Sequence, residues 1–168
     1  METRTKNSLV LYIILGILFI ISIIFNDFIG IAGIHPDILL IILIFLAFRE
    51  KPFIVLIAAF VFGFLQDIFL PGSIQYWGLT PLFKTLVIYG LLKLRPFFNN
   101  LKGVGFFAVL FGIIFLYFMF YDLLYYSGYI KPFIVLSRYA LPETVYTFIV
   151  LLIVHFIFPL KNKEKSLL

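Results

Sequence analysis

The chain has 168 residues, 64% hydrophobic and 12% charged, with a formal net charge of +5 and a mean hydropathy of +1.17. A soluble domain needs a polar skin that 23 Phe, 10 Tyr and long Ile/Leu runs do not supply, so a bilayer is the expected solvent and residues 1–168 the expected single transmembrane domain. The absence of cysteine excludes disulfides, thiolate metal sites, a Cys nucleophile and a lipidated N-terminal Cys. The bases lie in short gaps between apolar runs, which reads as a topology signal and not as nucleic-acid binding.

Ionisable residues mark the span boundaries, because each costs roughly 2.5 to 3.5 kcal/mol at a helix centre on insertion scales. Arg4 and Lys6 precede the first apolar run as in a signal peptide. Ile23-Ile24-Phe25-Asn26 offers no pair of small residues for cleavage, so residues 8–25 read as a retained span. The second span, 36–48, is shorter than the about 20 residues that cross a bilayer. It is therefore shielded by neighbours or preceded by a re-entrant piece at 28–34, which contains Gly30 and Gly33. The third span covers 52–66. The connection 70–78, with Pro71, Gly72 and Gly78, is expected to be re-entrant or interfacial, as is 129–136 with Lys131-Pro132. Spans 80–94, 103–121 and 142–158 complete an all-α six-helix bundle.

Arg4, Lys6, Arg49, Lys51, Lys93, Arg95, Lys102, Lys161, Lys163 and Lys165 fall on one side of these spans, and Lys84, Lys131 and Arg138 on or near the other. The positive-inside rule then places both termini in the cytoplasm of a multi-pass protein of a bacterial inner membrane. The opposite, outer rim carries Asp27, Asp37, Asp67, Asp122 and Glu143.

Spans descending from that rim open with Pro36-Asp37, Thr80-Pro81 and Pro142-Glu143. Proline suits a first helical position and an acid meets the positive end of the dipole, so Asp37 and Glu143 either stabilise helix starts or bind a partner. Asp27, Asp67 and Asp122 end ascending helices, where an acid is disfavoured; they are either hydrated at the interface or paired with Lys84, Lys131 and Arg138. Gly63 lies four residues before Asp67 and lets a helix approach beside the carboxylate. Lys84 is the expected partner of Asp67, with snorkelling alone as the alternative. His35 and His155 sit at opposite ends of the spans and cannot share a metal. No nucleophile elbow, phosphate loop or His pair at ligand spacing occurs. No catalytic residue, metal or cofactor is expected, and Trp77 and Tyr125-Tyr126 read as interfacial belt.

His35-Pro36-Asp37 with the apolar run to Leu43, Arg49, Gly63-Phe64-Leu65-Gln66-Asp67, and Pro71-Gly72 to Gly78-Leu79 resemble the rod shape-determining protein MreD family. Leu141-Pro142-Glu143-Thr144-Val145-Tyr146-Thr147 and Pro159 before a basic tail are similar to its last span. The turn between Asp67 and Gly78 is longer than the family's, and Thr147 stands where the family has Asn. The resemblance implies a non-enzymatic scaffold of the cell-elongation machinery (the elongasome) that makes lateral-wall peptidoglycan. It would bind the single-span MreC and sit with MreB, RodA and a transpeptidase, surrounded by membrane lipid. The family's fold is similar to the membrane substrate-binding subunits of energy-coupling-factor transporters. Pro36, Asp37, Gly63, Asp67, Gly78, Lys84 and Glu143 are then the expected partner-binding or junction residues. A small-molecule-binding subunit of a vitamin-type transporter is the other reading.

Overall fold

The computed structural model of the chain describes residues 16–17, 20, 30–31, 33–69, 78–101 and 103–160, and within them it is all-helical. The expected first span (8–25, apart from helical Gly16, Ile17 and Ile20), most of the connection 70–78, and Arg4, Lys6, Asp27, Lys102, Lys161, Lys163 and Lys165 lie outside the described residues. In the stretch 28–34, Ile31 and Ile34 exchange two 3.0 Å backbone hydrogen bonds around a tight turn at Gly33.

Five helical rods follow: α1 (Ile38–Arg49), α2 (Pro52–Phe69), α3 (Leu79–Asn100), α4 (Val104–Tyr125) and α5 (Pro132–Ile157). Three of them, α2, α4 and α5, are long and apolar enough to cross a membrane, with 18, 22 and 26 residues. α3 also has 22 residues but carries Lys84, Lys93 and Arg95. α1 has only 12, about 18 Å at the helical rise.

The rods alternate in direction, and their contacts place α1 against α2, α3 and α5, with α4 between α3 and α5. The short α1 is the most enclosed: Leu39, Leu40, Leu43, Ile44, Ala47 and Phe48 are all buried. On α2 the exposed residues Phe53, Ile57, Phe60, Phe64 and Ile68 recur every three or four positions and form one outward apolar stripe. Val55, Ala59 and Gly63 line the inward side.

One expected boundary is corrected. The last helix does not begin at Pro142 but at Pro132, and it runs on through Ala140, whose backbone is α-helical at φ −57°, ψ −45°. Pro142 has no N–H, and its ring would clash with the carbonyl four residues earlier in a regular helix. The chain avoids this with a π-helical turn at Leu136–Ala140, in which the Leu141 N–H bonds to the Leu136 carbonyl. Segment 132–136 is therefore helix, continuous with the last rod. Glu143 lies inside the rod, where a dipole at the rod's start does not account for it.

Candidate functional site: a polar junction on Asp37

Asp37 is the N-cap of α1, and its Oδ1 accepts the Leu40 N–H at 2.8 Å. That bond satisfies one of the orphan donors at a helix start. The same carboxylate has a second face. Its Oδ2 forms an ion pair with Lys84 of α3 and accepts the Tyr117 hydroxyl of α4 at 3.0 Å. The Asp37 N–H donates to Thr147 Oγ1 of α5 at 3.0 Å. Four helices thus converge on one residue. Pro36 just before it is buried.

Lys84 is fully buried, and its ammonium lies 5.7 Å from the Tyr117 ring centre. Ion pair, ring and hydroxyl together compensate a charge that could not otherwise stay out of water. The partner differs from expectation: Lys84 ion-pairs with Asp37, not with Asp67. Asp67 is 3% exposed, and its Oδ2 accepts the Gly78 N–H at 2.9 Å, closing the path from α2 into α3. Gly78 holds φ +94°, which favours glycine, and its carbonyl accepts the Leu82 N–H. Asp67 still acts on Lys84 through its charge.

At Gly63, α2 and α3 approach closely. A Cβ there would fall 2.7 Å from Pro81 Cα and 3.0 Å from Pro81 N. Thr80 beside it bonds to the Tyr121 hydroxyl at 3.2 Å. The pairs Thr80–Tyr121 and Lys84–Tyr117 are successive antiparallel rungs between α3 and α4.

Tyr117, Tyr121 and Tyr125 recur every four residues on α4 and stack, with centroids 5.8 and 6.0 Å apart. Tyr126 continues the series onto Tyr139 of the π-helical turn at 4.5 Å. Burial, and then the charge of Asp122, pushes the Tyr126 phenol up to about 12. Asp122 is buried on the same helix, and Glu143 lies on α5 within the field of Asp122 and Asp37.

Of the expected residues, the junction brings together Pro36, Asp37 and Lys84, with Gly63, Asp67 and Gly78 shaping the α2–α3 side and Glu143 one turn before Thr147. It also holds Tyr117, Tyr121 and Thr147. The four-residue tyrosine spacing was the available signal for the first two. The expected outer network of ion pairs does not extend to Lys131 and Arg138, which form no ion pair among the described residues. Nor do any three of His, Cys, Asp and Glu gather there as metal ligands. His35 packs over Gly30, while His155 lies at the opposite end, 5.1 Å from Phe107.

Compared with protein-family models, curated proteins and solved structures, the chain matches none.

Proposed function

We propose that the chain is a non-enzymatic scaffold of the bacterial cell-elongation machinery. In this reading it is a six-span bundle of the inner membrane with both termini in the cytoplasm, similar in fold to the membrane subunits of energy-coupling-factor transporters. It binds an MreC-like single-span partner and supports rod shape and lateral-wall peptidoglycan synthesis, with MreB, RodA and a transpeptidase as further members of the assembly.

The observation that carries the reading is the convergence of four helices on Asp37, the residue that opens the MreD-like stretch. A scaffold has to present a fixed face to its partner, and in lipid that rigidity comes from close packing and directional polar contacts between helices. Both occur here side by side, at Gly63–Pro81 and at Asp37–Lys84–Tyr117. The bases Arg49, Lys51, Lys93 and Arg95 gather at the opposite end of the same rods, which supports the proposed orientation.

The test is co-purification from membranes of a rod-shaped bacterium, with cell width scored on depletion. The expected result is capture of a single-span MreC-like protein by the wild type, reduced capture by Asp67→Ala, and wider cells on depletion. Absence of any such partner together with normal width overturns the scaffold. Saturable binding of a vitamin-sized ligand by the purified protein would put the transporter-subunit reading in its place.

A further inference from the structure

The bases Arg49, Lys51, Lys93 and Arg95 gather at the end of the rods where α1 stops, as the positive-inside rule expects of one end. Lys131 and Arg138 stand at the other end, among the acids, where that rule does not account for them. The acids do not account for them either. Lys84 answers Asp37 and the Gly78 N–H answers Asp67, while the side chains of Lys131 and Arg138 take no ion pair, hydrogen bond or ring contact among the described residues. Both are exposed.

Their place on α5 fixes their surroundings. Val135, Ala140, Thr144, Thr147 and Leu151 form the buried side of the rod, with the π-helical turn between the first two. Ile134, Arg138, Leu141, Val145 and Ile149 form its exposed side. Arg138 therefore interrupts an outward apolar stripe. Lys131 precedes that stripe at the N-cap, roughly two turns or about 10 Å away along the axis. The rod has 26 residues, whereas about 20 cross a bilayer. Counted back from Ile157, those about 20 residues end at Arg138, which puts its guanidinium where hydrocarbon gives way to headgroups. Exposed Tyr129 and Phe133 suit the same interfacial level.

We propose that Lys131 and Arg138 bind the headgroup of one anionic phospholipid of the phosphatidylglycerol class, on the outward flank of α5. The phosphate is the anion a bilayer offers at that depth, and the guanidinium presents a planar fork that matches two of its oxygens. Lys131 adds a second positive charge, which favours a headgroup of net negative charge and opposes a choline cation beside the phosphate. Beyond Arg138, the exposed run of Leu141, Val145 and Ile149 gives an acyl chain an apolar track. Free phosphate could not use that track. The proposal rests on α5 crossing a bilayer and not on the scaffold reading.

The experiment uses the full chain in detergent, stripped of lipid and titrated with phosphatidylglycerol or phosphatidylcholine of identical acyl chains. Bound lipid is counted by native mass spectrometry, and melting temperature is read in the same mixtures. One tightly held phosphatidylglycerol per chain is expected, preferred over phosphatidylcholine and accompanied by a rise in melting temperature that phosphatidylcholine does not give. The preference should fall about fivefold in Lys131→Gln and in Arg138→Gln, and stay unchanged in Lys51→Gln, which removes the same charge at the opposite end of the rods. Equal binding of the two lipids overturns the site, as does a preference indifferent to both variants. An equal fall in Lys51→Gln overturns it too, because the preference then follows net charge. Inorganic phosphate should fail to displace the lipid; displacement would overturn the lipid assignment in favour of a free anion. Should Arg138→Gln not fold, Lys131→Gln carries the test alone, since its exposed side chain stands at the N-cap, before the packed part of the rod.

Discussion

At the end of the bundle where α1 begins, one residue, Asp37, ties four helices together through its carboxylate and its backbone N–H. At the end where α1 stops, the contacts are rings. Phe48 meets Phe98 at 5.4 Å and Phe106 at 5.6 Å, Phe98 meets Phe106 at 5.2 Å, and Phe107 meets His155 at 5.1 Å. The polar ties near that cluster are to backbone carbonyls, from Arg49 to Pro159 on the exposed rim and from part-buried Arg95 to Glu50 at 3.1 Å. The polar end depends on each partner being present, since an orphaned buried charge is far more costly than a missing contact. The aromatic end depends on volume, and volume tolerates substitution. The same fold is thus specified sharply at one end and loosely at the other.

The largest expected effect breaks the polar end. Lys84→Met keeps most of the length of the side chain and removes its charge, leaving the largely covered Asp37 with Tyr117 as its remaining side-chain partner. Unfolding in detergent should show a loss of about 3–5 kcal/mol. Adding Asp37→Asn should restore most of it, because the amide oxygen still caps the Leu40 N–H while the buried charge is gone. A single variant that loses less than about 1 kcal/mol, or a double variant that loses more than the single, would remove Asp37 from its place as the hub.

A smaller effect tests close packing beside that hub. Gly63→Ala puts a Cβ 2.7 Å from the Pro81 backbone, which cannot swing aside as a side chain would, and about 1–3 kcal/mol should be lost. Gly112→Ala, with nothing within 4 Å of its Cβ, should instead gain about 0.5–1 kcal/mol as an ordinary helix-interior replacement. Equal melting temperatures for the two variants would mean that α2 and α3 are not in contact at Gly63.

The helix boundaries were largely legible in the sequence, because charges and prolines avoid span centres: 52–66 became Pro52–Phe69 and 103–121 became Val104–Tyr125. Pro142 misled for a physical reason. A proline at a helix start and a proline accommodated by a π-helical turn leave the same local sequence. Lys84 misled differently. Its depth in α3 shows that it needs an acid at that level, but not which neighbouring helix supplies one. Asp67 was the nearer in sequence, whereas the inward placement of α1 brought Asp37 to the same depth. The sequence marks Asp122 as an acid at an unfavourable helix end, yet the unpartnered state of its Oδ2 is visible only with the packing around it.

On the aromatic side the comparison predicts tolerance. Phe98 is 3% exposed and touches two other rings, yet Phe98→Leu keeps an apolar side chain that the neighbours can close upon. The expected loss is about 1 kcal/mol, with part of it the edge-to-face contacts themselves. A loss as large as that of Lys84→Met would place the two ends on the same footing.

The smallest effect is expected at Arg49. Its guanidinium donates to the Pro159 carbonyl at 3.1 Å on the exposed rim, where water replaces either partner at little cost, so Arg49→Ala should change stability by no more than about 0.5 kcal/mol. The contact still has a local consequence, because it holds the chain just past α5 against the end of α1. Hydrogen exchange should therefore quicken at the amides of Phe158 and Leu160 and stay unchanged at Leu40, whose N–H is held by Asp37 at the other end. Exchange that quickens at both ends would mean that the two ends are coupled along α1, and that the rim arginine supports the junction it lies farthest from.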